Sequence, residues 1–493
     1  MLKKIASNTF SQILSKAVTA IIAIFLISIL TNYLSVEMYG LYSKIYNYTG
    51  IFVFLADLGL YAISIREISN NRENSSKIVG NVMTLRLILG ILILFLSTII
   101  AFFLPGYNSE LAIISIIIVS FFTIFQLLNS SILALMQANM QIEFSAISLI
   151  ISKIINVSLI AIIAFYIYPK DFVQNFSFYN PFLFIVSAGV ISVFINTFLN
   201  FLYARRITKI GFEFDWKYIK HLFKISLPYG IALFLSVVYF KVDVILLSLL
   251  EGPTKGDLSI ALYSLPMKIV EVLMVIGGFY MTSMLPSLSK GFKEKDENKL
   301  LSLIDISFKI LFCFSSLLFV LGVLLRDYII KIIANENYLV TTHMYNSSDA
   351  FVVVFFVILF YFLSLVFIYA LVGAEKQEKL LKINIFITIF NIVGNIILIP
   401  KYSFMGAGVT TLVSQILLFL FGYYYTKQII NFKFPIFFII RGIIFGLFVF
   451  LFGNYLLVHF SKGLYFDFIF FAIILFSLYL PYFYLEYKKY YLK

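Results

Sequence analysis

Cysteine is almost absent. Cys313 stands alone in 493 residues, which excludes disulfides, cysteine-based metal sites and thiol chemistry within one chain. Three histidines, His221, His343 and His459, lie far apart and make no metal-ligand pattern. Charge is also scarce: ionisable Asp, Glu, Lys and Arg form 12% of the chain, too little to solvate the surface of a soluble protein this long. Long polar connections are missing as well. The longest, around 205–224 and 326–349, run to roughly twenty residues, so no soluble catalytic domain has room.

What is present is hydrocarbon. Apolar residues make up 62% of the sequence and come in runs of roughly 20, the length of a helix that spans about 30 Å of bilayer core. A β-barrel would need short alternating segments of about ten residues, and none are visible. The chain therefore reads as an all-α integral membrane protein with about fourteen spans. They are placed near 10–34, 40–64, 81–104, 110–134, 145–168, 181–204, 225–250, 259–284, 301–325, 350–372, 381–399, 406–426, 436–458 and 464–484. The basic start "MLKKIASNTFSQILSK" leads into an apolar run too long for a signal peptide, and reads as the first, uncleaved span.

The net charge of +13 would point to nucleic acid in a soluble protein; here the positive-inside rule accounts for it, and no nucleic-acid partner is expected. Lys3, Lys4, Arg66, Arg72, Lys77, Arg205, Arg206, Lys290, Lys293 and Lys376 crowd the N-terminus and the even-numbered connections, and Lys488, Lys489 and Lys493 crowd the tail. Both termini are thus expected in the cytoplasm, with the chain in the cell (inner) membrane. The 57 Phe and 33 Tyr are read as lipid-facing and interfacial packing rather than a sugar-stacking site.

Short stretches recur in order. "GLYSKIY" (40–46) matches "ALYSLPM" (261–267), "ILALMQANMQ" (132–141) matches "IYALVGAEKQ" (368–377), and "AGV" at 188–190 returns at 407–409. The expected organisation is two pseudo-symmetric six-helix lobes, 1–204 and 225–426, with a cytoplasmic interfacial linker at 205–224. Spans 13 and 14 and a basic tail follow at 427–493. Repeats that enter the membrane from one side flank a central cavity, the arrangement of a transporter.

Ionisable residues inside spans are costly and mark function. Arg86 and Arg441 lie close enough to a cytoplasmic end to snorkel, and Lys309 can pair with Asp305 one turn away. In "LYSLPMKIVEVLMVI" (262–276), Lys268 and Glu271 are three apart and can pair along one face. Lys241 and Asp243 are two apart and point to different sides of a helix. Lys16 and Lys153 sit roughly 11 Å inside their spans. The excess is positive: Lys16, Lys153, Lys241 and Lys268 are the candidate substrate-binding residues, and Asp57, Asp243 and Glu271 the candidate coupling or charge-tuning ones. A cationic cavity within lipid suits an anionic substrate, with phosphate the natural anion on a lipid.

The stretch "VEMYGLYSKIYNYTGIFVFLADLGLYAISIREIS" (36–69) resembles the second span of polysaccharide transporters. "FKISLPYGIALFLSVVYFKVDVILLS" (223–248) is similar to their seventh and "MGAGVTTLVSQ" (405–415) to their twelfth. The family resembled is the oligosaccharide flippase (Wzx-type) branch of the multidrug/oligosaccharidyl-lipid/polysaccharide (MOP) exporter superfamily. The resemblance singles out Asp57, Arg66 and Asp243, with Arg66 structural at a cytoplasmic edge. It implies alternating access and a polyprenyl-diphosphate-linked oligosaccharide moved from the cytoplasmic to the outer leaflet.

The expected partners are that glycolipid, membrane lipids and, as a candidate, polysaccharide polymerase machinery. No cofactor is expected, with Na+ or H+ as the candidate coupling ion. Two other classes compete. A cation-coupled multidrug exporter would favour an acidic cavity, against the lysine excess. A membrane polymerase or glycosyltransferase would want a carboxylate pair at a membrane face, and the 326–349 segment carries no convincing one. The chain is accordingly not expected to be an enzyme.

Overall fold

The computed structural model describes residues 2–170, 179–340, 344–460 and 462–491; His343 and Lys493, counted above, lie outside them. The described residues form fifteen α-helices and no strand. These are α1 (Leu2–Tyr33), α2 (Val36–Asp57), α3 (Leu60–Asn70), α4 (Ser75–Phe103), α5 (Glu110–Ala138), α6 (Glu143–Ile162), α7 (Tyr179–Ala204) and α8 (Trp216–Glu251). There follow α9 (Pro253–Glu294), α10 (Glu297–Leu324), α11 (Arg326–Ile333), α12 (Ser347–Gly373), α13 (Gln377–Lys427), α14 (Ile436–Phe460) and α15 (Leu464–Tyr491).

Twelve described helical stretches are long and apolar enough to cross a membrane, so the chain is a multi-pass membrane protein. α13, 51 residues long, is broken at Ser403 (φ 54°, ψ −141°), and its two arms cover the expected spans 381–399 and 406–426. α8 covers the expected span at 225–250, and starts within the linker, at Trp216. The span expected at 40–64 is two helices. α2 stops at Asp57 because Leu58 (φ 40°) and Gly59 (φ 74°) both enter the left-handed region, and α3 restarts at Leu60. Helix starts are fixed by short polar side chains that take up otherwise unpaired backbone N–H groups: Ser35 accepts from Met38, Ser109 from Ala112, Asp215 from Tyr218 and Asp296 from Lys299.

The chain forms two compact units, Met1–Ala261 and Leu262–Lys493. In the first, Leu60, Val79, Val82, Leu135, Met136 and Leu222 knit α3, α4, α5 and α8 into one core. In the second, Leu317, Val320, Val449, Leu475 and Tyr479 join α10, α14 and α15. Large apolar side chains also stand on outer faces, among them Phe95, Ile99 and Phe103 on α4 and Ile444, Leu451 and Val458 on α14, as lipid-facing spans require.

A polar seam runs through each unit. In the first, Ser192 Oγ on α7 donates to Ser152 O on α6 (2.8 Å), and Asn200 Nδ2 donates to Asn129 Oδ1 on α5 (2.8 Å). In the second, Asn395 Nδ2 donates to Asn391 Oδ1 (2.9 Å) and Asn391 Nδ2 to Ser414 Oγ across the break in α13 (3.2 Å). Of these, Asn395–Asn391 lies within one arm of α13; the bonds between spans hold them together where lipid gives no hydrophobic drive, at about 0.6 kcal/mol each.

Candidate functional site

Within the first unit, α2 gathers charge along its length. At its first end the Lys44 side chain is 1% exposed, and its ammonium lies 2.5 Å from Asp257 Oδ1, at the start of α9. The same Nζ donates to Gly106 O (2.6 Å) and sits 5.3 Å from the centroid of the Tyr107 ring. Three partners replace the ammonium's lost hydration, which is what a buried cation demands. Tyr107 lies between spans, and burial pushes its phenol well above its usual range, so it stays neutral beside the pair. Gly40 makes the approach possible, since a Cβ there would run into the Asp257 carbonyl.

Midway along α2, Lys241 of α8 donates from Nζ to Asn47 Oδ1 at 3.2 Å. Its chain lies over Gly50, where a Cβ would stand 3.3 Å from that Nζ. Lys241 is half-buried, and Asp243, two residues on, is fully buried. The spacing had placed these two on different sides of the helix, and their burial differs accordingly.

At the last end of α2, Asp57 pairs with Arg86 of α4, whose Nη1 also donates to Ser131 Oγ on α5 (2.9 Å). Arg86 is 0% exposed. It does not snorkel to headgroups as its depth in the sequence had implied, because a carboxylate at the end of the neighbouring span captures it. A carboxylate at a helix C-terminus opposes the helix dipole, and the guanidinium offsets that. Outside the spans, Lys77 Nζ lies 2.9 Å from Asp215, and this hydrogen bond holds the Asp215 carboxyl below its usual range.

The remaining candidates are dispersed. Lys16 is exposed on α1, and Lys153 is half-buried on α6, which packs against α1. Among the described residues no carboxylate pairs with Lys153, although it lies ten residues, about 15 Å, into its helix. One turn further, the buried Asn156 Oδ1 also has no hydrogen-bond partner. In the second unit, Lys268 and Glu271 pair at 2.7 Å and Lys309 and Asp305 at 2.7 Å, both as their spacing predicts. Arg66 is exposed beside Glu67 (3.4 Å), and Arg441 is exposed on α14, where it can reach headgroups.

Sequence reasoning missed Lys44, Asp257 and Asn47. Lys44 stands in the quoted "GLYSKIY", close enough to a span end to pass as interfacial. Its acidic partner lies on a distant helix that no spacing rule connects to it.

Among the described residues no group of three or more His, Cys, Asp or Glu could hold a metal ion. The second unit holds a cavity of about 690 Å³ lined by Phe308, Phe312, Phe356, Phe360, Phe419 and Leu447 among others. The Ser316 hydroxyl in its wall is hydrogen-bonded to Tyr479 OH (3.1 Å), so this space suits hydrocarbon and offers nothing to an anion.

Comparison with known proteins agrees with this architecture. The sequence profile of the polysaccharide biosynthesis protein family matches residues 5–292, and that of the MatE family matches residues 228–397. No curated protein sequence matches the chain. Among solved structures, the fold is similar to the lipid II flippase MurJ in an inward closed conformation, at 16% identity and a TM-score of 0.71, over 97% of this chain and 99% of that one. It is also similar to an inward-facing multidrug resistance MATE family transporter of the MOP superfamily (14% identity, TM-score 0.61, 83% and 95%). A third likeness is to a MOP superfamily transporter from Pyrococcus furiosus whose binding pocket has reversed polarity (15% identity, TM-score 0.51, 84% and 96%). With more than half of its length matched by one profile, the chain belongs to the polysaccharide biosynthesis protein family.

Proposed function

We propose that the chain is a flippase that carries a polyprenyl-diphosphate-linked oligosaccharide from the cytoplasmic to the outer leaflet of the cell membrane, with both termini cytoplasmic. The observation that carries this reading is Lys153: a half-buried ammonium deep in α6 with no acidic partner among the described residues. An uncompensated cation within a span costs at least a few kcal/mol, and an anionic substrate repays that cost. Lys241, set against α2 at Gly50 and Asn47, offers a second positive contact, and Lys16 and Lys268 complete the proposed set. Asp57, Asp243 and Glu271 are the proposed coupling or charge-tuning residues, for Na+ or H+; Asp57 pairs with Arg86, Glu271 pairs with Lys268, and Asp243 is fully buried. Alternating exposure to the two membrane faces moves the diphosphate and glycan while the prenyl tail stays in lipid.

Purified protein in proteoliposomes should translocate lipid-linked sugars made by the enzymes encoded beside it; failure to exceed protein-free vesicles would refute the reading. The MatE match supports a second one, a cation-coupled exporter of amphipathic drugs. Lys16→Ala, Lys153→Ala and Lys268→Ala separate them, because they should abolish flipping and leave drug efflux nearly unchanged.

A further inference from the structure

Tyrosine belongs at the membrane–water interface, where its hydroxyl meets water. α2 instead carries Tyr39, Tyr42, Tyr46 and Tyr48 along its length, and they divide into two kinds. Tyr39 and Tyr48 are buried packing residues, and the Tyr48 hydroxyl donates to Ser97 O (2.7 Å). Tyr42 and Tyr46 both keep part of their surface open. Tyr46 begins about 15 Å into the helix, half the thickness of the hydrocarbon core.

The surroundings of Tyr46 define what is left open. Its hydroxyl donates to Val186 O of α7 (3.4 Å), and Gly189 keeps α7 clear of that hydroxyl. Its ring meets Phe122 of α5 edge-on (5.9 Å), and its centroid lies 4.6 Å from that of Tyr42. These contacts leave Tyr46 half-buried, so part of its aromatic side chain stays open. Tyr42, Tyr46 and Gly50 repeat at four-residue intervals and form one stripe on α2. The Lys241 ammonium lies at the Gly50 end of the stripe, bonded to Asn47. A stripe of aromatic surface therefore continues directly from a cation.

We propose that Tyr42 and Tyr46 form a saccharide-stacking wall that takes the first sugars of the glycan when its diphosphate is held at Lys241. This rests on the flippase reading and deepens it. A pyranose has an apolar C–H face that packs on an aromatic ring, and the half-buried Tyr42 and Tyr46 offer two such rings in line. The rise of about 6 Å from Gly50 to Tyr46, and again to Tyr42, is comparable with the length of one sugar unit. A cationic aromatic drug would also stack on such rings but is repelled by Lys241. The phosphate end then contributes charge attraction common to all lipid-linked glycans, and the tyrosines contribute recognition of the sugar.

The test uses the full chain in nanodiscs and two probes, a sugar-free polyprenyl diphosphate and the same lipid bearing a trisaccharide of N-acetylhexosamine and hexose. The wild type should bind the trisaccharide lipid about five- to tenfold more tightly. Tyr46→Ala and Tyr42→Ala should lose that preference without weakening the sugar-free lipid. Tyr46→Phe should keep it, which separates stacking from the structural bond to Val186. Lys241→Ala should weaken both probes equally. Equal binding of both probes by the wild type, or an equal loss of both in Tyr46→Ala, overturns the wall and leaves the diphosphate reading standing. Binding of neither probe by the wild type overturns both.

Discussion

Lys44 and Asp257 show what a buried charge does when its partner is fixed. Removing one member strands the other without water, at a cost of about 3–5 kcal/mol, whereas replacing both with apolar side chains can be neutral or stabilising. Lys44→Met should therefore destabilise the protein strongly, and Lys44→Met with Asp257→Leu should recover much of the loss. Arg86→Leu should cost a similar amount, because Asp57 is left at a helix end without its guanidinium. The temperature at which purified protein in detergent loses its monodisperse peak checks both. Intra-helix pairs such as Lys268–Glu271 and Lys309–Asp305 were legible in the sequence because an α-helix turns spacing into proximity. Pairs between helices, Lys44–Asp257 and Asp57–Arg86, were not, since hydropathy fixes how deep a residue lies and not which neighbour it faces.

At the level of elements, the spans were legible from apolar length, and the breaks were legible only in part. Gly59 advertises the stop after α2, but the continuous apolar run through 40–64 conceals it. The break at Ser403 falls where the sequence had already separated two spans. Glycine also sets how closely helices approach. Gly40 of α2 lies against Asp257 of α9, and Gly230 of α8 lies against the Leu58 backbone where α2 ends, so α2 is gripped at both of its ends. Gly230→Ala would force a Cβ into the carbonyl carbon, carbonyl oxygen and Cα of Leu58, which is main chain and cannot rotate aside. It should destabilise by about 1–3 kcal/mol, visible as a lower unfolding temperature or lower yield in detergent. Unchanged stability would show that α8 can move away freely.

For the whole molecule, scarce charge gave the membrane class and the spacing of apolar runs gave the helical fold. The substrate rests on a few cations whose cost within lipid needs a reason. Lys153 carries that reason most directly. Its charge, rather than its length, should matter, so Lys153→Arg should work where Lys153→Gln fails. The measurement is the initial rate at which a lipid-linked oligosaccharide with a fluorescent tag becomes accessible to a membrane-impermeant quencher in proteoliposomes of uniform orientation. The account predicts a wild-type rate well above that of protein-free vesicles, at least a tenfold fall for Lys153→Gln, and a rate within about threefold of wild type for Lys153→Arg. Equal rates for wild type and Lys153→Gln, in protein of equal thermal stability, would contradict it.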